Sequence, residues 1–101
     1  MIVIAGTIRA NPEKIDEARA ALLEVQTATN ANDGCVHYVF SQDLTDPGLF
    51  HLFEYWDNLD NMAAHGKADH FKAFNSNIRS WIGGRPDILQ YSVSKVGPIG
   101  G

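Results

Sequence analysis

The chain has 101 residues, the size of one domain, with 45% hydrophobic and 20% charged residues, the balance of a folded globular protein. No segment approaches the ~20 apolar residues needed to cross a bilayer. The net charge is −4 and the lysines and arginines are scattered singly. That argues against a phosphate-tracking nucleic-acid surface and against a polybasic membrane contact, and it leaves a small molecule or another protein as the expected partner.

The opening Met1-Ile2-Val3-Ile4-Ala5-Gly6 carries no basic leader and reads as a strand rather than a signal peptide. The β-branched run from Ile2 to Arg9 predicts the first strand. Asn11 then suits a helix N-cap and Pro12 the first helical position, where its missing N–H costs nothing. Glu13, Asp16 and Glu17 favour the positive end of that helix. Ile15, Ala18, Leu22, Val25 and Thr29 recur at helical spacing and predict one apolar stripe, ending by Asn32-Asp33-Gly34.

Cys35 to Leu44 is rich in strand formers, and Thr45-Asp46-Pro47-Gly48 is a turn signal. Cys35 is the only cysteine, so it forms no intramolecular disulfide and no Cys-based zinc site. A single free thiol and no export signal point to a reducing, cytoplasmic location. Leu49 to Trp56 is the return strand of a hairpin. Asp57 or Asn58 caps a short helix through Met62 and Ala64, and Gly66 separates it from a second helical piece, Asp69 to Ile82. Asp87 to Val96 forms the last strand, and residues 97–101 read as a loose tail after a domain of residues 1–96.

The order strand, helix, strand, strand, helix, strand predicts an α+β, ferredoxin-like fold: a four-stranded antiparallel sheet with helices on one face. The third strand is apolar on both sides, with Leu49, His51, Phe53 and Tyr55 alternating against Phe50, Leu52, Glu54 and Trp56. Helices cover only one face, so the other is expected to meet a second copy across a two-fold axis, giving a homodimer. The alternative is that these aromatics only enlarge the core.

Phe53-Glu54-Tyr55-Trp56-Asp57, Met62-Ala63-Ala64-His65 and Asp69-His70-Phe71-Lys72-Ala73-Phe74 together resemble the antibiotic biosynthesis monooxygenase family. Asp33-Gly34-Cys35-Val36-His37-Tyr38 is similar to the glycine-containing entry to that family's second strand. The resemblance spans Met1 to about Val96. It implies a dimeric α+β barrel whose subunits each hold an apolar pocket between sheet and helices. It further implies oxidation of phenolic or quinol-like substrates by O₂ without metal, flavin or haem. Such chemistry needs a base, a hydrogen-bond donor for the anion and a dry enclosure.

His65 is the first candidate for base or donor, since its ordinary pKa lies near neutrality. A structural role as a helix C-terminal cap stands beside that reading. His70 is the second candidate, although a solvated first-turn residue is the plainer reading. Glu54, in an apolar strand, either faces the pocket as a desolvated proton acceptor or pairs with Arg9 or Arg79. Trp56, Phe71, Phe74 and Trp81 read as core and pocket wall together, and Tyr38 and Tyr91 offer hydroxyls to orient a substrate. His37 and His51 read as sheet or interface residues, and Arg85 as a cation near the pocket mouth. His65, Asp69 and His70 raise a metal site, but the helix break and the lack of a further spaced ligand count against it. No glycine-rich loop follows a strand, so no nucleotide cofactor is indicated.

One branch of the family degrades haem through an Asn on the first strand, a Trp on the short helix and a His on the next. Those places fall at Thr7, His65 and Asn75 here, and all three differ. The leading expectation is therefore a cofactor-independent monooxygenase acting on a quinol or polycyclic phenol. The alternatives are an isomerase of a small carbonyl compound and a non-catalytic binder of a small aromatic ligand.

Overall fold

The computed structural model describes residues 1–100; Gly101, the end of the expected tail, lies outside the described residues. The elements are β1 (Ile2–Arg9), α1 (Ile15–Asn30), β2 (Cys35–Gln42), β3 (Leu49–Trp56), α2 (Leu59–Gly66), α3 (Asp69–Asn77), a 3₁₀ turn (Ile78–Ser80) and β4 (Asp87–Ser92). The strands form one antiparallel sheet in the order β2-β3-β1-β4, the ferredoxin-like arrangement expected from the sequence.

Strand parity decides what each face carries. On β3, Phe50, Leu52, Glu54 and Trp56 are buried beneath the helices, while His51 and Phe53 are exposed on the other side. Opposite residues share a face, so the open side carries a row of His37, Tyr55, Val3 and Tyr91 and a second row of Val39, Phe53, Ala5 and Leu89. Glu54 thus lies on the helix-covered face and does not pair with Arg9, which reaches Asp46 at 2.9 Å instead. Tyr91 falls on the open face because it pairs with Val3, and it cannot share a site with Tyr38.

The predicted stripe of α1 is the buried one: Ala18, Leu22, Val25 and Thr29 all face the sheet. The helix starts at Ile15, not at Pro12. The Asn11 side chain accepts from Glu13 N at 3.0 Å and its carbonyl accepts from Lys14 N at 2.8 Å, so Asn11 organises a turn ahead of the helix. β2 ends at Gln42, before Leu44, because Asp43 turns the chain by accepting from the Thr45 backbone and hydroxyl. β4 ends at Ser92, short of Val96, because Ser92 already pairs with Ile2 at the start of β1 and only Val93 N finds a further acceptor, Met1 O. The second helical piece stops at Asn77 and tightens into the 3₁₀ turn.

Two apolar clusters fill the space between sheet and helices. One gathers Ile8, Ala10, Ala18, Leu22, Phe50 and Trp81; the other gathers Ile2, Val25, Tyr38, Leu52 and Trp56. Burying each large side chain contributes on the order of 1.5–3 kcal/mol. Side chains of α1 also close the outer edge of β2. Asn30 Nδ2 donates to Tyr38 O (2.8 Å), Tyr38 N donates to Asn30 Oδ1 (3.1 Å), and Phe40 N donates to Gln26 Oε1 (2.7 Å). These bonds use edge groups that would otherwise invite another strand.

Candidate active site

The second cluster contains the polar side chains that matter. Glu54 and Trp56 point inward from the end of β3, and Tyr38 lies directly opposite Glu54 across the β2–β3 ladder. Asn58 Oδ1 accepts from Asn61 N at 2.9 Å, capping α2 and fixing where its last turn falls. That turn delivers His65 into the cluster, and Gly66, Lys67 and Ala68 lead into α3, which brings His70, Phe71 and Phe74 over it.

His65 is 6% exposed and enclosed by rings. Its centroid lies 4.5 Å from that of Phe71, 5.2 Å from Trp56, and 5.5 Å from both Tyr38 and His70. Neither Nδ1 nor Nε2 has a hydrogen-bond partner. An unmet buried polar group costs about 1–3 kcal/mol, so this ring is held at the expense of stability. It is not a helix cap, because the last carbonyls of α2 accept backbone N–H groups of Lys67 and Ala68. Burial, with a smaller contribution from the charge on His70, pulls its pKa from 6.5 to about 4, so the imidazole is neutral at pH 7.

Glu54 is 7% exposed, and its carboxylate accepts from Trp56 Nε1 at 2.9 Å. Desolvation raises its pKa and the indole bond opposes that rise. Tyr38 is pushed up by burial first and then by Glu54 and Cys35. The Cys35 thiol is likewise raised, by burial and by Glu54. The cluster therefore favours uncharged forms and resists an unpaired ion.

His70 is half-buried rather than solvated. Thr29, fully buried on α1, donates its hydroxyl to Val25 O at 2.6 Å and lies 3.3 Å from His70 Nε2. Because the single hydroxyl proton is committed to Val25, Thr29 accepts from His70, which places a proton on Nε2. The sequence places Thr29 on an apolar stripe, and a hydroxyl residue at a core position is its one sign of this bond.

Glu54, Trp56, Tyr38, His65, His70, Phe71 and Phe74 thus come together. Trp81 belongs to the neighbouring cluster and reaches the cage only through Phe74, at 6.0 Å. Thr7 pairs with His51 and Asp87 on the open face, and Asn75 and Arg85 are exposed. Among the described residues, no three His, Cys, Asp or Glu side chains gather as a metal ion requires, and no helix is long and apolar enough to cross a membrane.

Two hollows adjoin the helices. An open groove of about 530 Å³ runs along α1 beside β2, past Arg19, Leu23, Gln26 and Phe40, and includes none of the cage's ionisable groups. A cavity of about 120 Å³ lies between α1 and α3, with His70 and Phe74 in its wall together with Glu24, Val25 and Asn77. The groove is the larger and meets the cage only through Phe40, whose ring packs edge-on against Tyr38, whereas the cavity has His70 of the cage in its wall.

Comparison with known proteins agrees with this architecture. The chain is 29% identical to a Deinococcus radiodurans protein of known structure described as a "putative antibiotic biosynthesis monooxygenase", with a TM-score of 0.88 over 100% of both chains. It is 22% identical to the Bacillus subtilis "Putative monooxygenase YcnE" over 94% of this chain and 100% of that one. It is 27% identical to the uncharacterized protein sll1783 of Synechocystis over 93% of this chain, a match that spans only 64% of that relative's length. The family described as "Antibiotic biosynthesis monooxygenase" matches residues 1–77, from β1 through the end of α3. The chain belongs to the antibiotic biosynthesis monooxygenase family.

Proposed function

We propose that the protein is a cofactor-independent monooxygenase that oxidises a quinol or polycyclic phenol to a quinone with O₂. The observation that carries this reading is the buried, neutral His65, whose two ring nitrogens have no partner inside an aromatic cage. A lone pair kept free in a dry site is what removal of a phenolic proton needs. The resulting anion gives one electron to O₂, and the radical and superoxide combine at a ring carbon bearing hydrogen. The proton held by His65 completes the hydroperoxide, which loses water to leave the carbonyl.

Magnitude narrows the substrate. A base titrating at about 4 is weak against an isolated phenol. Once formed, however, the anion is a counter-charge that offsets the desolvation of the imidazolium. The site therefore selects substrates whose anion is delocalised and easily oxidised, as in quinols and anthrones. Glu54 and Trp56, joined by their hydrogen bond, form one wall, and Tyr38, Phe71 and Phe74 provide flat apolar surface. The cavity at α3 is well below the ~300 Å³ usual for a ligand site. Binding therefore displaces Phe71 and Phe74 with α3, an element that has no fully buried residue.

The open sheet face belongs to the same proposal. Phe53 is 40%, Tyr91 47% and Leu89 59% exposed, in two contiguous apolar rows, and a second copy related by a two-fold axis covers them.

The test is oxygen consumption by metal-free protein over quinols, anthrones and simple phenols, with quinone absorbance followed alongside. Matched uptake and quinone formation above autoxidation, lost in His65→Ala, is the expected result. No uptake across the panel rejects the monooxygenase reading. Turnover without O₂ would indicate an isomerase, and saturable binding without turnover a ligand-binding protein.

A further inference from the structure

We propose that His70 is the proton conduit of this site, the side chain through which the buried His65 exchanges protons with solvent. The inference rests on the reading of His65 as the base. A base must be neutral when substrate arrives, yet neither ring nitrogen of His65 reaches solvent or a hydrogen-bonding group through which a proton left by an aborted turnover could depart.

Of the rings around His65, those of Phe71 and Trp56 cannot relay a proton to solvent, and Tyr38 is itself buried. His70 is the exception: its ring packs against His65 on one side and forms part of the α1–α3 cavity wall on the other. A volume of about 120 Å³ exceeds the ~30 Å³ share of one water molecule severalfold. Glu24 and Asn77 supply polar partners there.

Thr29 gives the conduit its direction. With its own proton committed to Val25 O, it holds His70 Nε2 as the protonated nitrogen. Nδ1 is left with the lone pair that receives a proton. The transfer balances simply: imidazolium His65 gives a proton to His70 Nδ1, the His70 cation loses it to water in the cavity, and both rings return to neutral. No redox change occurs. The centroid separation of 5.5 Å is beyond hydrogen bonding for the rings as they stand, so each passage requires His70 to rotate on its Thr29 contact. The charged groups around this step are Glu24 of α1 in the cavity wall, His65 of α2, and Asp69 and Lys72, both exposed on α3 itself. Glu24 draws the departing proton outward. His70 is a positioning residue in this scheme, since it acts on substrate only through His65.

The experiment reads His65 protonation without needing turnover. Because His65 packs on Trp56, its protonation after a stopped-flow jump from pH 7 to pH 4 is followed by tryptophan fluorescence, with His65→Phe as the blank. Protonation is expected to slow at least tenfold in His70→Phe, which fills the gap. His70→Ala should also be slow but accelerated by added imidazole, and Thr29→Val should fall between wild type and His70→Phe. Circular dichroism at pH 7 and again at pH 4 identifies variants that keep the fold through the jump. An unchanged rate in folded His70→Ala overturns the conduit, as does imidazole acceleration equal in His70→Ala and His70→Phe. If the jump depends on His70 while the wild type consumes no O₂, the conduit stands and the monooxygenase reading alone falls.

Discussion

Replacing His65 with Phe should flatten the acid side of the stability curve. The unfolded chain binds a proton at His65 near pH 6.5, whereas the folded protein does not until about 4. Between those values the unfolded state holds the extra proton, so stability falls as the pH falls, and the loss is nearly complete at pH 4. A gap of that size, at 1.36 kcal/mol per pKa unit, corresponds to roughly 3 kcal/mol. Phenylalanine fills the ring space, keeps the contacts with Phe71 and Trp56, and cannot be protonated. It also removes two unmet nitrogens, so His65→Phe should be no less stable than wild type at pH 7. Urea unfolding at fixed protein concentration, followed by tryptophan fluorescence from pH 7 to pH 4, measures the difference. At slopes of about 1–3 kcal/mol per M, the wild-type midpoint should fall about 1–3 M further than that of the variant. The raised carboxyl of Glu54 and the lowered one of Asp43 are common to both proteins, so their contributions cancel. Parallel curves for the two proteins would falsify the burial and neutrality assigned to His65.

Glu54 has the opposite sign. Its folded pKa is raised, so its stabilising contribution is full below the unfolded value and is lost as the pH rises through the folded one. Glu54→Gln keeps an acceptor for the Trp56 indole and should melt a few degrees above wild type at pH 8 and level with it near pH 4; equal melting at both would show an ordinary carboxyl. Phe53→Asp places a charge in the middle of the open apolar face and should weaken self-association at least 100-fold, read by light scattering across a dilution series, while the monomer keeps its circular dichroism. An equally tight dimer would move the interface elsewhere. Gly6→Ala drives a Cβ into the backbone of Asp87 and Ile88 and should loosen β4 from β1, seen as faster amide exchange at residues 88–92 with β3 little changed. Unaltered exchange there would mean that the two strands adjust without cost.

The sequence by itself determined the local and periodic features. The stripe of α1, the turn at Thr45-Asp46-Pro47-Gly48, the bounds of β1 and β3 and the order of elements follow from short-range rules, because apolar period and turn chemistry act within a few residues. The same reasoning overran at strand ends. Leu44 and Val96 are good strand formers, but a strand lasts only as long as its neighbour offers pairing groups, which depends on residues far away in the chain.

The candidate site divides in the same way. His65, Glu54, Tyr38, Trp56, Phe71 and Phe74 are recognisable as residue types that suit the chemistry, and strand parity puts Glu54 and Trp56 on one face. Which face meets the helices was decided by packing, and it moved Tyr91 away from the site and Trp81 into the neighbouring cluster. The Thr29–His70 contact joins residues 41 positions apart and brings α1 against α3, so only the folded chain creates it. The lowered pKa of His65 is likewise a tertiary property, since it arises from the exclusion of water by rings drawn from β2, β3 and α3.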